Sequence, residues 1–428
     1  MAVARRCLVL ACVVGCKFSP PSGGPIDGGD AMPDVLPDVP DAAPDVCLMW
    51  DPEHFDPCVV GGPQDPPTFS AGASPYTYDT TTAGGILKDK NGATIATSDV
   101  VITQPDNSEV ALWNLSGLTL PAGIVINIVG SKPLIIASWD TLVVDGTLDA
   151  GSYTAEIDAT AGIDSTVQLG AGASSADCTI LAGGPGGNGV ATGGSGGGGG
   201  AGFRGAGGTG GIGDAGSGNI AGGTPGQQLN PLVIRAGCAG GASGTAGGGA
   251  VIPPATSTSL ANPGSGGGAL VLAVRNSITI NDTGRVLAGG GGGAGSPEGS
   301  ACGGGGGGSG GYLGLDAPTI TITALGVVAA NGGGGGGGSG FDDEGAQGEN
   351  GLANNARALG GAAVPTPGCG ERGGRGGSGA AINNNGETNM VADNCGGGGG
   401  GGGAGHAFVW SGAFGNAGIV SPDATIMP

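Results

Sequence analysis

Residues 183–405 are dominated by glycine, and short apolar runs recur among them between unbroken glycine blocks at 303–308, 332–338 and 396–403. Of 428 residues, 105 are Gly and only 11% are charged, far from the balance of an ordinary globular chain. Such content usually means disorder, but mean hydropathy is +0.16 and strand-like runs are spaced through the glycine.

The runs repeat. Residues 268–280 fall onto 310–322, a spacing of 42, and Gly284, Val286, Ala288 and Gly290 fall onto Gly326, Val328, Ala330 and Gly332. Each unit reads as strand, turn, strand, turn, short strand, then glycine block. Ile278 and Ile280, like Ile320 and Ile322, alternate with Ser or Thr, the period-two pattern of a half-buried strand. A fainter copy spans 134–150. One such unit cannot bury its apolar face alone, and stacking copies supplies the missing cover.

Net charge is -21, and about -23 without Arg5 and Arg6. With four Lys in all, the chain lacks the clustered basic residues that nucleic acid binding needs, so no nucleic acid partner is expected. Gly and β-branched residues stand where helices prefer Ala, Leu, Glu and Lys, so long helices are not expected either.

The N-terminus reads as an export signal. Arg5 and Arg6 precede an apolar stretch, 7–15, too short to span a bilayer. The junction Val13-Val14-Gly15-Cys16 resembles the lipobox of bacterial lipoproteins, which implies cleavage before Cys16, acylation of that Cys, and a membrane partner through the lipid. Lys17, where Asp would retain such a protein in the inner membrane, leans toward the outer membrane. Residues 16–46, rich in Pro and Asp, form a disordered acidic tether that reaches on the order of 90 Å at about 3.1 Å per residue. Residues 47–67 follow, with Cys47 and Cys58 spaced for a small disulfide loop. His54 between them lacks the further ligands and the spacing of a zinc site.

Strand candidates crowd residues 68–150: 110–115, 117–120, 124–129, 134–137, 142–144 and 148–150, with a turn at 89–92 and no Asn-Gly hairpin turn after it. Trp113 and Trp139 are expected to fill or cap the core and not to stack on a sugar. In 151–265 only Leu232-Val233-Ile234-Arg235 reads as a strand, marking a glycine-rich insertion. Its stretches 183–189 and 207–213 resemble the glycine-rich units of mycobacterial PE-PGRS proteins, although the PE domain of that family is absent. The likeness implies backbone-on-backbone packing of polyproline II segments; a mobile polar loop is the alternative. Residues 266–428 carry the repeats, ending in 406–410 as the last strand.

The order of acidic Pro tether, Cys47–Cys58 segment, Tyr76-Thr77-Tyr78-Asp79 and glycine-rich β repeats resembles uncharacterised surface lipoproteins of myxobacterial type. That resemblance implies a location and no chemistry. Leaving out the leader and Cys16, seven cysteines remain, and the expected pairs are Cys47 with Cys58, Cys178 with Cys238, and Cys302 or Cys395 with Cys369.

Most candidate chemistry fails on composition. A phosphate loop needs GxxxxGK[ST], and no Lys follows Lys132. Dinucleotide binding needs βαβ units. Asp342, Asp343 and Glu344 are weak calcium candidates, better read as a solvated turn than as a metal site. Asp140, Asp145, Asp149 and Lys132 are the residues that a polysaccharide-cleaving enzyme would have to bring together. Ice or crystal-surface binding by a flat β face would need long regular Thr arrays, which the chain does not show.

The resulting expectation is an all-β, right-handed parallel β-helix-like solenoid with long glycine-rich loops, preceded by a disordered tether. In function it is a cell-surface or outer-membrane lipoprotein, structural or adhesive, without a catalytic site or cofactor. Its partners would be surface glycan or envelope components. The alternative is a polysaccharide-acting β-helix lyase or hydrolase.

Overall fold

The computed structural model describes residues 49–153, 168–173, 178–190, 193–214, 219–245, 260–297, 301–340, 344–362, 372, 374, 376–377 and 395–428. Residues 47–428 belong to one compact unit, and the expected leader and tether lie outside the described residues.

Four strands open the body: β1 (Tyr76–Asp79), β2 (Gly85–Lys88), β3 (Thr94–Ser98) and β4 (Val101–Thr103). Three triplets follow the same itinerary. They are β5 (Glu109–Leu115), β6 (Leu118–Leu120) and β7 (Val125–Val129); β8 (Leu134–Ser138), β9 (Thr141–Val144) and β10 (Thr147–Asp149); and, after the small pair β11 (Gly213–Asp214) and β12 (Asn219–Ile220), β13 (Ala269–Val274), β14 (Ser277–Ile280) and β15 (Arg285–Leu287). A fourth is β16 (Tyr312–Asp316), β17 (Thr319–Ile322) and β18 (Val327–Ala329). The last comprises β19 (His406–Trp410), β20 (Ala413–Asn416) and β21 (Ile419–Ser421), with β22 (Thr425–Met427) after it. The 3-10 turn Ala71–Ala73 is the only helical element between residues 50 and 428 among those described.

Corresponding strands pair to give an eight-stranded sheet, β21-β18-β15-β10-β7-β1-β2-β3, a seven-stranded sheet, β22-β19-β16-β13-β8-β5-β4, and a five-stranded sheet, β20-β17-β14-β9-β6. The two larger sheets are mixed: β1, β2 and β3 pair antiparallel, as do β4 and β5, while the other pairs in these sheets are parallel. The expected right-handed parallel β-helix-like solenoid with long glycine-rich loops is therefore overturned. Hairpins build part of both large sheets, and the glycine blocks among the described residues are not loops but a buried layer, described below. The β4–β5 hairpin escaped the sequence reading because its turn is not Asn-Gly. Gln104 N donates to Ser108 O at 2.8 Å, and Asn107 takes the left-handed φ of 67° that asparagine tolerates.

Alternation decides what lies between the sheets. Leu118, Leu120, Leu142, Val144, Ile278, Ile280, Ile320 and Ile322 point from the five-stranded sheet into one core, with Trp113, Tyr76, Tyr78, Ile126 and Leu148 from the others. The opposite face of the seven-stranded sheet builds a second core from Val110, Leu112, Ile135, Val271, Tyr312 and Phe408 against Trp50, Leu181, Phe203 and Ile234. The 42-residue spacing holds for β14 and β17, where Ile278 faces Ile320, but not for β13 and β16, where Leu270 faces Leu313. One residue fewer separates β16 from β17, and the shift keeps Leu313 and Leu315 inside while Tyr312 joins the outer core. An unshifted register would have turned every β16 side chain to the wrong face.

The glycine-rich layer has its own rule. From segment 194–202, Gly196, Gly199 and Gly202 donate to Gly187, Gly184 and Leu181; Gly194, Gly197 and Gly200 to Asp214, Gly211 and Gly208; and Ser195, Gly198 and Ala201 to Ala301, Gly304 and Gly307. Its carbonyls accept from Gly223 and Gly226, from Gly241 and Gly244, and from Gly397, Gly400 and Gly403. One extended segment thus has six segments around it, reached every third residue, which is the periodicity of a polyproline II helix with no internal hydrogen bonds. With a neighbour in every direction there is no room for Cβ: one built on any residue from Gly196 to Gly200 would approach a carbonyl oxygen of another segment closer than 3.0 Å. Unusual backbone angles are not the reason, since among the described residues no glycine beyond Gly172 has a positive φ. Buried serines complete the bonding where backbone partners do not; Ser195 Oγ donates to Gly244 O at 2.7 Å and accepts from Gly303 N at 2.9 Å. The layer continues directly from the sheets, entering after Leu287 and Ala329 and returning through Gly311 and Gly405 into β16 and β19.

Two further expectations are corrected. Residues 232–235 form no strand: Leu232 is 97% exposed, and Ile234 is held instead by a side chain, as shown below. The strand at 406–410 is not the last, because β20, β21 and β22 follow it.

Candidate functional site

A hollow of about 450 Å3, with both charged and apolar walls, lies where the β4–β5 turn, the β7–β8 turn and residues 233–236 meet. Gln104 joins two of these walls. Its Nε2 donates to Ile234 O at 2.9 Å and to Ser108 Oγ at 2.9 Å, and its Oε1 accepts from Ile234 N at 2.7 Å. That two-way bond is what draws residues 232–235 out of any sheet. Asp106 at the turn accepts from Ser108 Oγ at 2.6 Å and Ser108 N at 3.0 Å. The Ser108 bonds, with the charge of Arg235 as a lesser contribution, hold its carboxyl below the ordinary carboxylate range. On the β7–β8 side, Lys132 Nζ lies 3.8 Å from Glu109 and donates to Thr81 O at 3.3 Å. Two carboxylates and two cations therefore line one hollow beside the apolar Pro133, Val233 and Ala236. This arrangement can hydrogen-bond a polar ligand, and the Ser108 hydroxyl is already held by the Asp106 carboxylate.

A second hollow, about 320 Å3, is lined by Tyr153, Leu287, Ala329 and residues 349–353. Behind it Tyr153 donates its hydroxyl to Asp149 at 2.6 Å, and Gly151 N donates to the same carboxyl at 2.8 Å. Burial pushes the Asp149 carboxyl up, against the opposing pull of those bonds.

The residues a glycan-cleaving enzyme would use are not brought together. Asp140, at the β8–β9 turn, accepts from Asn276 Nδ2 at 2.8 Å, and Asp145, at the β9–β10 turn, from Asn281 Nδ2 at 2.9 Å. Asp282 one level on accepts from Thr323 Oγ1 at 2.7 Å and Leu325 N at 3.2 Å. Each turn is thereby tied to the next one along the stack, which uses these carboxylates for structure. Asp149 is buried and Lys132 pairs with Glu109.

Cys178 and Cys238 are joined in a disulfide, as expected. Cys58 and Cys395 are disulfide-bonded too, while their expected partners Cys47 and Cys369 lie outside the described residues, as does Cys16. Cys302 is a buried thiol, which resolves the choice between Cys302 and Cys395 in favour of Cys395 as the bonded residue. Of the calcium candidates, Asp342 and Asp343 lie outside the described residues and Glu344 is exposed. No group of three or more His, Cys, Asp or Glu is placed to hold a metal among the described residues.

The segment after Cys47 is a cover for the outer core. Trp50 packs edge-on against Phe55 and Trp139, at 5.4 and 5.2 Å between ring centroids, and His54 packs against Trp410 at 4.8 Å. Trp139 Nε1 donates to Asn114 Oδ1 at 2.7 Å, and Trp113 is fully buried. Burial lowers His54 to about 4 and His406 to about 4, so both imidazoles are neutral in the fold at pH 7. Glu53 N donates to the Asp316 carboxylate at 2.9 Å, whose pKa burial raises to about 6.

No known protein family, no curated protein and no solved structure matches the chain.

Proposed function

We propose that the protein is a cell-surface or outer-membrane lipoprotein with a structural or adhesive role. The observation that carries this reading is the buried glycine layer, in which segments bond to as many as six others through backbone alone. Such a body resists deformation in several directions at once, because pulling any segment strains bonds to all its neighbours. The carboxylates at the strand turns join one level to the next, which serves the same end. A lipid on Cys16 and an acidic tether would hold this body off a membrane.

The test is metabolic labelling with an alkyne-tagged palmitate in a Gram-negative host, followed by protease treatment of intact cells. The full chain should take up label and co-sediment with outer membrane, and its body should be cut only by external protease at high dose. Cys16→Ala should lose both label and sedimentation. An unlabelled wild-type chain found in the periplasmic extract would overturn the reading.

A further inference from the structure

The five-stranded sheet differs from the other two in being parallel throughout. Parallel sheets ordinarily have both faces covered. Its inner face is in the core, but none of the described residues covers its outer face: Thr119, Thr319 and Thr321 are exposed, and Thr141, Ser277 and Thr279 are half-exposed. The seven-stranded sheet, by contrast, has its outer face under Trp50, Phe203 and Ile234.

Register sorts these side chains into two files. Thr141, Ser277 and Thr319 stand side by side on β9, β14 and β17. Thr279 and Thr321 stand side by side two residues further along, and Thr119 lies in the same file beyond Val143. Strands about 4.8 Å apart and alternate residues about 6.6 Å apart make this a short grid of hydroxyl and methyl groups, assembled across the strands and not as a long array along any one of them. None of the five strands contains a charged residue, in a chain of net charge -21.

We propose that this face docks an ordered neutral polysaccharide, with glycan chains packed side by side. Deepening the adhesive reading, the proposal rests on it. Hydroxyls both donate and accept, as sugar hydroxyls do, and the Thr methyls and Val143 offer contact to the apolar faces of sugar rings. Charge selects the class of glycan: an uncharged grid has nothing to pair with uronate or sulfate, and the acidic remainder of the molecule repels polyanions. Periodicity selects an ordered polymer over a single chain, because many weak bonds at a fixed repeat act together only on a partner that is itself regular. Among the described residues the face carries no aromatic ring on which one isolated sugar would stack.

The experiment is depletion of the purified full chain from solution by microcrystalline cellulose and by chitin powder, with calcium pectate gel as the acidic comparison. Wild-type protein should be removed by at least one neutral solid and not by pectate. Thr321→Lys and Thr279→Lys should weaken the removal by about tenfold or more, while Thr94→Lys on the exposed edge strand β3 should leave it unchanged. Thr321→Val, which keeps the shape and removes the hydroxyl, guards against misfolding of the Lys variants and should also weaken it. No removal by either neutral solid, equal removal by pectate, or wild-type binding by Thr321→Val would overturn the proposal. So would ice shaping by wild-type protein, lost in Thr321→Lys, without glycan binding. Lipid labelling at Cys16 is read separately, so failure here leaves the lipoprotein reading standing.

Discussion

Gly198 faces Gly241 so closely that a methyl group on the first would lie within 3.0 Å of the second one's carbonyl oxygen. The atom in the way is backbone, already bonded into the layer, and cannot rotate aside. Gly198→Ala should therefore destabilise the protein by about 3 kcal/mol or more, at or beyond the upper end for overpacking a core. Gly62→Ala, where nothing lies within 4 Å of the new methyl, should change stability by less than about 0.5 kcal/mol. Urea unfolding of the two variants side by side checks the contrast.

Ser195 is the point where a side chain replaces backbone in the same layer. Ser195→Ala would leave both Gly303 N and Gly244 O without the hydroxyl that satisfies them in the interior. A loss of about 1–3 kcal/mol is expected. Faster amide hydrogen exchange at Gly303 than at Gly304 would locate it.

The Cys178–Cys238 bond closes a separation of 60 residues, about half of the glycine-rich insertion 151–265. Ordering glycine is entropically costly, so a link that shortens the unfolded chain matters most here. Replacing both cysteines by Ser should cost about 4 kcal/mol on the loop-entropy model. Thiol titration of the wild-type mature chain should find no reactive group while folded and one, Cys302, after unfolding without reductant. Two or more would contradict the pairing.

Acid should act in two opposed ways. Asp316 binds its proton more tightly when folded, with a pKa of about 6 against 3.8, so its contribution favours folding below 3.8 and is lost as pH rises through about 6. His54 and His406 behave in the opposite sense: their contribution is present above 6.5 and is lost as pH falls through about 4. Asp316→Asn, whose side-chain oxygen still accepts from Glu53 N, should raise Tm at pH 8 and give no gain at pH 3.5. A thermal series from pH 3.5 to 8 would show wild-type Tm less sensitive to acid than that of the variant.

Strand positions from Val110 to Ala150 and in the repeats were legible because alternation is a local property with a period of two. The β4–β5 hairpin was not, since its turn carries Pro105, Asp106 and Asn107 and no Asn-Gly. Nor was the fate of residues 232–235, whose apolar run looks like a strand until Gln104, 130 residues away, takes up Ile234. The polar hollow beside Lys132 and Arg235 was missed for the same reason: its walls come from three separate stretches of chain.

By itself the sequence determined that strands would alternate apolar and polar residues, that Asp and Asn would stand at the turns, and that long stretches would carry no side chains. These follow from local chemistry, which neighbours along the chain decide. Only the tertiary structure decided that the glycine stretches pack as a six-neighbour layer and that Thr119, Thr141, Ser277, Thr279, Thr319 and Thr321 share one open face. Both depend on register between segments far apart in the chain, 136 residues between Thr141 and Ser277 and 202 between Ser195 and Gly397, and in the sheets register is set by which side chains must face the core across the whole stack.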